Sequence, residues 1–156
     1  MPTAADIGAA IGWVRTAVLV TIGPDGRPRP VPICVVAAED GEAPIGLRFH
    51  TPIDEKPKSI DDPLALARVR DIAARPDVVV LIDRWDEDWT RLWWIRIDGR
   101  AVILRPDDDA VGGERTAAIA ALRAKYPQYA GHDLEGRPII RVVGLRASSW
   151  AAAATE

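Results

Sequence analysis

The chain has 156 residues, 20 lysines and arginines against 23 aspartates and glutamates, a net charge of −3 and a single cysteine. That length suits one domain with its own core, the charge offers no general attraction to nucleic acid, and one cysteine excludes a disulfide framework, so the expected compartment is the reducing cytoplasm. No apolar run approaches the ~20 residues of a membrane-spanning helix, so no membrane partner is expected; residues 1–150 read as one domain and 151–156 as a short flexible tail.

Residues Thr3 to about Val14 suit a short helix, with Asp6 in its first turn where negative charge complements the helix dipole. Ala17 to Ile22 is β-branched and runs into the turn Gly23-Pro24-Asp25-Gly26, then into a second extended run from Arg29 to Ala38, which together predict a β-hairpin. Prolines 28, 30 and 32 remove ladder donors and send the start of this second strand to an edge or a bend, where backbone groups are left for a ligand. Cys34, inside the apolar stretch, is expected to be buried and inert. A third strand, Ile45 to Thr51, follows. Asp62 then caps a helix with Pro63 at its first position, Leu66, Val69 and Ala73 on one face and Arg68, Asp71 and Arg75 on the other, ending at Pro76.

Five consecutive aliphatic residues, Val78 to Ile82, predict a strand covered on both faces. Arg91 to Leu104 alternates, with Trp93, Ile95, Ile97, Ala101 and Ile103 on one face. Asp107 to Asp109 precede a helix reaching Lys125, and a last strand runs from Pro138 to about Ala147. Six or so antiparallel strands with two or three helices, and no regular alternation of β and α units, predict a mainly β protein built as a small barrel with flanking helices.

Nucleophile-elbow, zinc-helix, paired-cysteine and Walker signatures are all missing. His50 and His132 are far apart in sequence and have no cysteine cluster, so no metal site is expected. No catalytic acid, base or nucleophile is assigned. Two of the three lysines, Lys56 and Lys58, sit in the segment after the third strand. An ammonium on a flexible stem suits a point contact to phosphate, and the Thr51 hydroxyl can complete the cradle; the competing reading is a solvated basic loop. His50, beside Thr51, either lines a pocket or is a satisfied strand histidine. Asp83, Asp86, Glu87 and Asp88 lack the pattern of a calcium loop and read as a solvated turn. Trp85, Trp89, Trp93 and Trp94 crowd into ten residues; each is suited to core or subunit packing, and one or two could flank a planar ring.

The order of these elements, with the Gly-Pro-Asp-Gly hairpin, the proline-containing strand and the strand ending in Phe49-His50-Thr51 before Lys56, resembles the pyridoxamine 5′-phosphate oxidase-like, FMN-binding split β-barrel family. Three stretches, Thr51-Pro-Ile-Asp-Glu-Lys-Pro-Lys58, Asp86-Glu-Asp-Trp-Thr-Arg-Leu-Trp-Trp94 and Lys125-Tyr-Pro-Gln-Tyr129, are similar to its branch that uses the deazaflavin coenzyme F420. The resemblance implies a homodimer with a cofactor site at each end of the seam, and an oxidoreductase moving a hydride between F420 and a small organic acceptor. It implies that Lys56 and Lys58 meet the cofactor phosphate, that Thr51 and His50 close the cradle, that Pro32 and Ile33 lie along the ring, and that Trp89 forms a wall from the partner subunit. Relatives that bind FMN often carry serine and arginine before the key lysine; here stand Asp54 and Glu55, which repel a phosphate unless they point away. The alternatives are an FMN-dependent oxidase of the pyridoxamine phosphate type and a non-catalytic cofactor- or haem-binding barrel. Against the first, Leu145-Arg-Ala-Ser-Ser-Trp150 does not resemble the arginine-rich ending of those oxidases.

Overall fold

The β1–β2 hairpin forms where the turn residues place it: Gly26 takes a φ of 79°, a left-handed conformation that a side chain resists, and the turn is closed by Gly23 N donating to the Arg27 carbonyl and Gly26 N to the Gly23 carbonyl, each at 2.9 Å. The computed structural model describes residues 2–55 and 61–152. Within them lie strands β1 (Ala17–Ile22), β2 (Pro28–Ile33), β3 (Val36–Glu39), β4 (Leu47–Pro52), β5 (Asp77–Arg84), β6 (Trp93–Leu104) and β7 (Ile139–Ala151), and helices α1 (Ala4–Trp13), α2 (Ala67–Ala74) and α3 (Gly112–Lys125). All strand pairs are antiparallel, in the order β2-β1-β5-β6-β7-β4-β3.

That order fixes the shape. β2 and β3 are the two edges of the sheet, yet only Cys34 and Val35 separate them in the chain. Laid flat, seven strands would hold their edge strands ~29 Å apart at ~4.8 Å per step, whereas two linking residues reach about 11 Å between flanking Cα atoms. The sheet therefore rolls up until its edges nearly meet, and the Arg29–Ala38 run crosses the remaining split. The single strand expected there is two strands on opposite edges, which raises the count from six to seven.

The rolled sheet encloses Leu19, Phe49, Val80, Ile82, Ile97 and Ile140, and α1 and α2 add Ile7, Ile11, Val69 and Ile72 to the same core. A second, outer core forms where α3 lays Ala118, Ile119 and Leu122 over Val36, Leu104 and Ile139. Thr3 and Asp6 form a reciprocal capping box at the start of α1. Gly99 sits at a register shift between β6 and β7, where an added Cβ would lie 2.5 Å from Val142 Cγ1 and 2.8 Å from the Val143 carbonyl oxygen.

Three expectations change. Asp62 does cap its segment, accepting from Leu64 N, but Pro63–Ala65 is a 3₁₀ turn and α2 starts at Ala67. The buried face of α2 centres on Val69 and Ile72, Ala73 is exposed, and Asp71 is buried instead of exposed; its carboxylate is satisfied by Thr21 Oγ1 at 2.9 Å, with Arg29 at 3.7 Å. In β5, Val78, Val80 and Ile82 are buried, but the outward Val79 and Leu81 are only half-buried within one chain. β7 runs beyond Ala147, with Ala151 pairing with Trp93 and Ala152 donating to the Leu92 carbonyl.

Candidate functional site

β2 is a free edge, and its prolines decide what that edge offers. Successive strand residues point their backbone groups to opposite sides. Because Pro28, Pro30 and Pro32 cannot donate, the ladder to β1 uses Arg29, Val31 and Ile33, and the prolines turn to the open side. The edge thus presents carbonyl acceptors and no donors.

At the end of β2 a cleft of about 540 Å³ opens, lined by Pro32, Ile33 and Cys34 on one side and by Tyr126 and Tyr129 on the other, with Arg15 and His132 at its polar rim. Cys34 is half-buried on this wall rather than sealed in the core, because it lies in the link between the sheet edges.

The stretch Lys125–Tyr129 builds the cleft. Val35, in the link, has no strand partner, so its backbone groups need others. Tyr126 Oη accepts from Val35 N at 3.0 Å, and Lys125 Nζ donates to the Val35 carbonyl at 2.7 Å and also to that of Ile11. Two side chains do the work of a missing strand. Burial, with the Arg15 charge adding to it, lowers the Lys125 ammonium from 10.5 to about 8. Burial raises the Tyr126 phenol.

Tyr129 then reaches the exit of β4, donating to Asp54 Oδ2 at 2.6 Å; burial and this bond raise its pKa. Glu55 N donates to His132 Nδ1 at 3.4 Å, while Glu55 Oε2 accepts from Asp133 N at 3.0 Å. Both carboxylates before Lys56 are therefore turned to the Tyr129–Asp133 segment.

Pro32 and Ile33 come together on the cleft wall. Lys56 and Lys58 lie outside the described residues. His50 and Thr51 are both buried, but alternation along β4 sends them to opposite faces, so they do not converge on one cradle. His50 faces α3, where its Nε2 lies 2.8 Å from Glu114 Oε1. Arg141 Nη1 donates to the other Glu114 oxygen at 2.9 Å, and Arg48 Nε stands 3.8 Å away.

Trp89 sits on a 3₁₀ turn, Trp89–Arg91, and is 69% exposed. It lies outside the lining of a second cleft of about 470 Å³, whose walls include Trp85, Trp93, Trp94 and Trp150 with Arg84 and Arg96. Arg15, Lys125, Tyr126 and Tyr129 carried no individual role in the sequence. The signal for them was composition: the third lysine and both tyrosines of the chain fall within five residues. Among the described residues no group of three or more histidines, cysteines and carboxylates is placed to hold a metal ion, and no helix is long and apolar enough to cross a membrane.

Comparison with solved structures gives a conserved hypothetical protein of Mycobacterium tuberculosis (TM-score 0.69, 18% identity, covering 97% of this chain and 86% of that one). The haem storage protein HutZ of Vibrio cholerae matches with a TM-score of 0.61 at 13% identity over 97% of this chain and 95% of that one. An F420 reductase matches with a TM-score of 0.55 at 23% identity over 90% and 94%. At these identities the likeness shows the fold, a split barrel that hosts different activities. No curated protein sequence matches the chain. The sequence profile described as pyridoxamine 5′-phosphate oxidase matches residues 7–151, and with it the rolled, unclosed seven-stranded sheet shows that the chain belongs to the pyridoxamine 5′-phosphate oxidase family.

Proposed function

We propose that this protein is an F420-dependent oxidoreductase acting on a small organic acceptor. The observation that carries the reading is the cleft at the end of the β2 edge, whose wall residue Tyr129 is hydrogen-bonded to Asp54 at the exit of β4 and whose wall residue Tyr126 holds Val35 in the link. The three F420-like sequence stretches support the deazaflavin over FMN, and an F420 reductase shares the fold. The residues fit a phosphate-bearing flavin-type group: Asp54 and Glu55 are each engaged by hydrogen bonds from the Tyr129–Asp133 segment, and the donor-free edge at Pro32 suits a ring that carries an N–H. Pro32 and Ile33 would flank the ring, and Lys56 and Lys58 would meet the phosphate. When bound in its reduced form, the deazaflavin supplies a hydride. The chain's own contribution is positional: it orients the ring and the acceptor and keeps water out.

The working unit in this reading is a homodimer. Val79 and Leu81 on the outer sheet face, and the exposed Trp85 and Trp150 around the second cleft, are apolar surface that a second copy would cover.

Titration with F420 and with FMN, followed by fluorescence, tests the assignment, and sedimentation tests the dimer. Tight F420 binding that is abolished by Lys56→Ala is the expected result. A yellow protein that retains FMN through purification would refute the choice of cofactor. Neither cofactor binding would refute the oxidoreductase reading.

A further inference from the structure

Arg15 stands at the rim of the Pro32–Tyr126 cleft and is held from three directions. Its guanidinium carbon lies 4.9 Å from the centroid of the Tyr126 ring, its Nη2 donates to the Lys125 carbonyl at 2.7 Å, and its own carbonyl accepts from Tyr126 Oη at 3.1 Å. Among the described residues no carboxylate lies within ion-pair distance of it. Other arginines of this chain are neutralised locally, Arg84 by Asp86 and Arg146 by Asp98, each at 2.6 Å.

The cleft rim therefore carries an oriented, solvent-exposed cation that no carboxylate among the described residues pairs. A second cation, Lys125, sits behind it and is spent on backbone carbonyls. Two carboxylates approach this wall: Asp54, behind Tyr129, accepts its hydroxyl, and Glu55 accepts from Asp133 N. In a chain with a net charge of −3 the positive character of this cleft is local. Around it the apolar wall is Pro32 and Ile33, while the Tyr126 ring is nearly buried beneath Arg15 and Lys125.

We infer that this cleft admits a planar conjugated carboxylate as its acceptor, and that Arg15 selects the carboxylate. A guanidinium pre-oriented by stacking loses little freedom when it meets the fork of a carboxylate, and its remaining N–H groups supply charge-assisted bonds. The acceptor's role rests on the oxidoreductase reading, but recognition of the acid does not require turnover.

The test is calorimetric binding of cinnamate and of cinnamamide, which match in shape and differ in charge, to the full-length protein and its Arg15→Gln and Arg15→Lys variants, each checked for an unchanged melting temperature. The wild type is expected to prefer the acid, Arg15→Gln to weaken cinnamate about ten-fold or more without moving cinnamamide, and Arg15→Lys to restore part of the preference. Equal weakening of both ligands, or a wild type without acid preference, would overturn the inference. Carboxylates on the cofactor tail are the other source of this chemistry, so F420 and a tail-less deazaflavin form the second arm. If Arg15→Gln weakens only F420, the guanidinium serves the tail and the inference is wrong. If the wild type binds no deazaflavin, the oxidoreductase reading fails while the cinnamate comparison still decides the role of Arg15.

Discussion

Glu114 anchors a half-buried charge cluster on the outer face of the sheet. It lies in the first turn of α3 with its side chain 13% exposed, and among the described residues it is the carboxylate that meets His50, Arg48 and Arg141. The Nε atoms of both arginines are buried and make no hydrogen bond, so the carboxylate is what offsets their charge. Breaking a fully buried pair costs about 3–5 kcal/mol, and an exposed one about 0–1. The arginine side chains are 31% and 25% exposed, which puts Glu114→Ala between these limits and nearer the buried one, at about 3 kcal/mol. For a domain of this size that lowers the melting temperature by roughly 6–12 °C. Glu114→Gln keeps an acceptor for His50 and loses the charge, so it should cost roughly half as much. Urea unfolding of both variants measures the difference. A loss below about 1 kcal/mol for Glu114→Ala would show that water already screens the network and would refute the reasoning.

The same cluster contributes an acid-sensitive share of stability. Burial lowers the His50 imidazole below its ordinary 6.5, with the Glu114 hydrogen bond opposing, so its contribution is complete above pH 6.5 and is lost as pH falls. Burial pushes the Glu114 carboxyl up, but the His50 bond and the Arg141 charge outweigh it and hold the group below 4.5, so its share persists lower and disappears as pH drops through its folded value. Unfolding free energy measured from pH 8 to pH 3 should therefore fall in two steps, and His50→Gln should flatten the upper one. Gly99→Ala should cost roughly 1–3 kcal/mol, because the new methyl meets a backbone carbonyl that cannot rotate away; an unchanged denaturation midpoint would contradict the bulge geometry. Tyr126→Phe strands the Val35 N–H, which should cost roughly 1–3 kcal/mol and speed amide exchange at Val35 selectively. Protection at Val35 equal to wild type would rule out that bond.

Local chemistry determined a good part of this protein. Turn glycines closed the hairpin, alternation along Trp93–Leu104 marked the packed face of β6, the prolines of β2 required a strand with one open side, and motifs carried family membership. Tertiary structure decided what depends on which surfaces meet. Nothing within Arg29–Ala38 shows that its halves belong to opposite sheet edges, because both are extended and apolar and only the rolling of the sheet separates them. The burial of Asp71 depended on Thr21 and Arg29 arriving from another hairpin. His50 found Glu114 because α3 crosses that face of β4, 64 residues away in the chain. The cleft itself exists because Val35, left without a strand partner, is bonded by Lys125 and Tyr126, 90 and 91 residues further along. Spacing and propensity act over a few residues, while these pairings are selected by the need to satisfy every buried polar group.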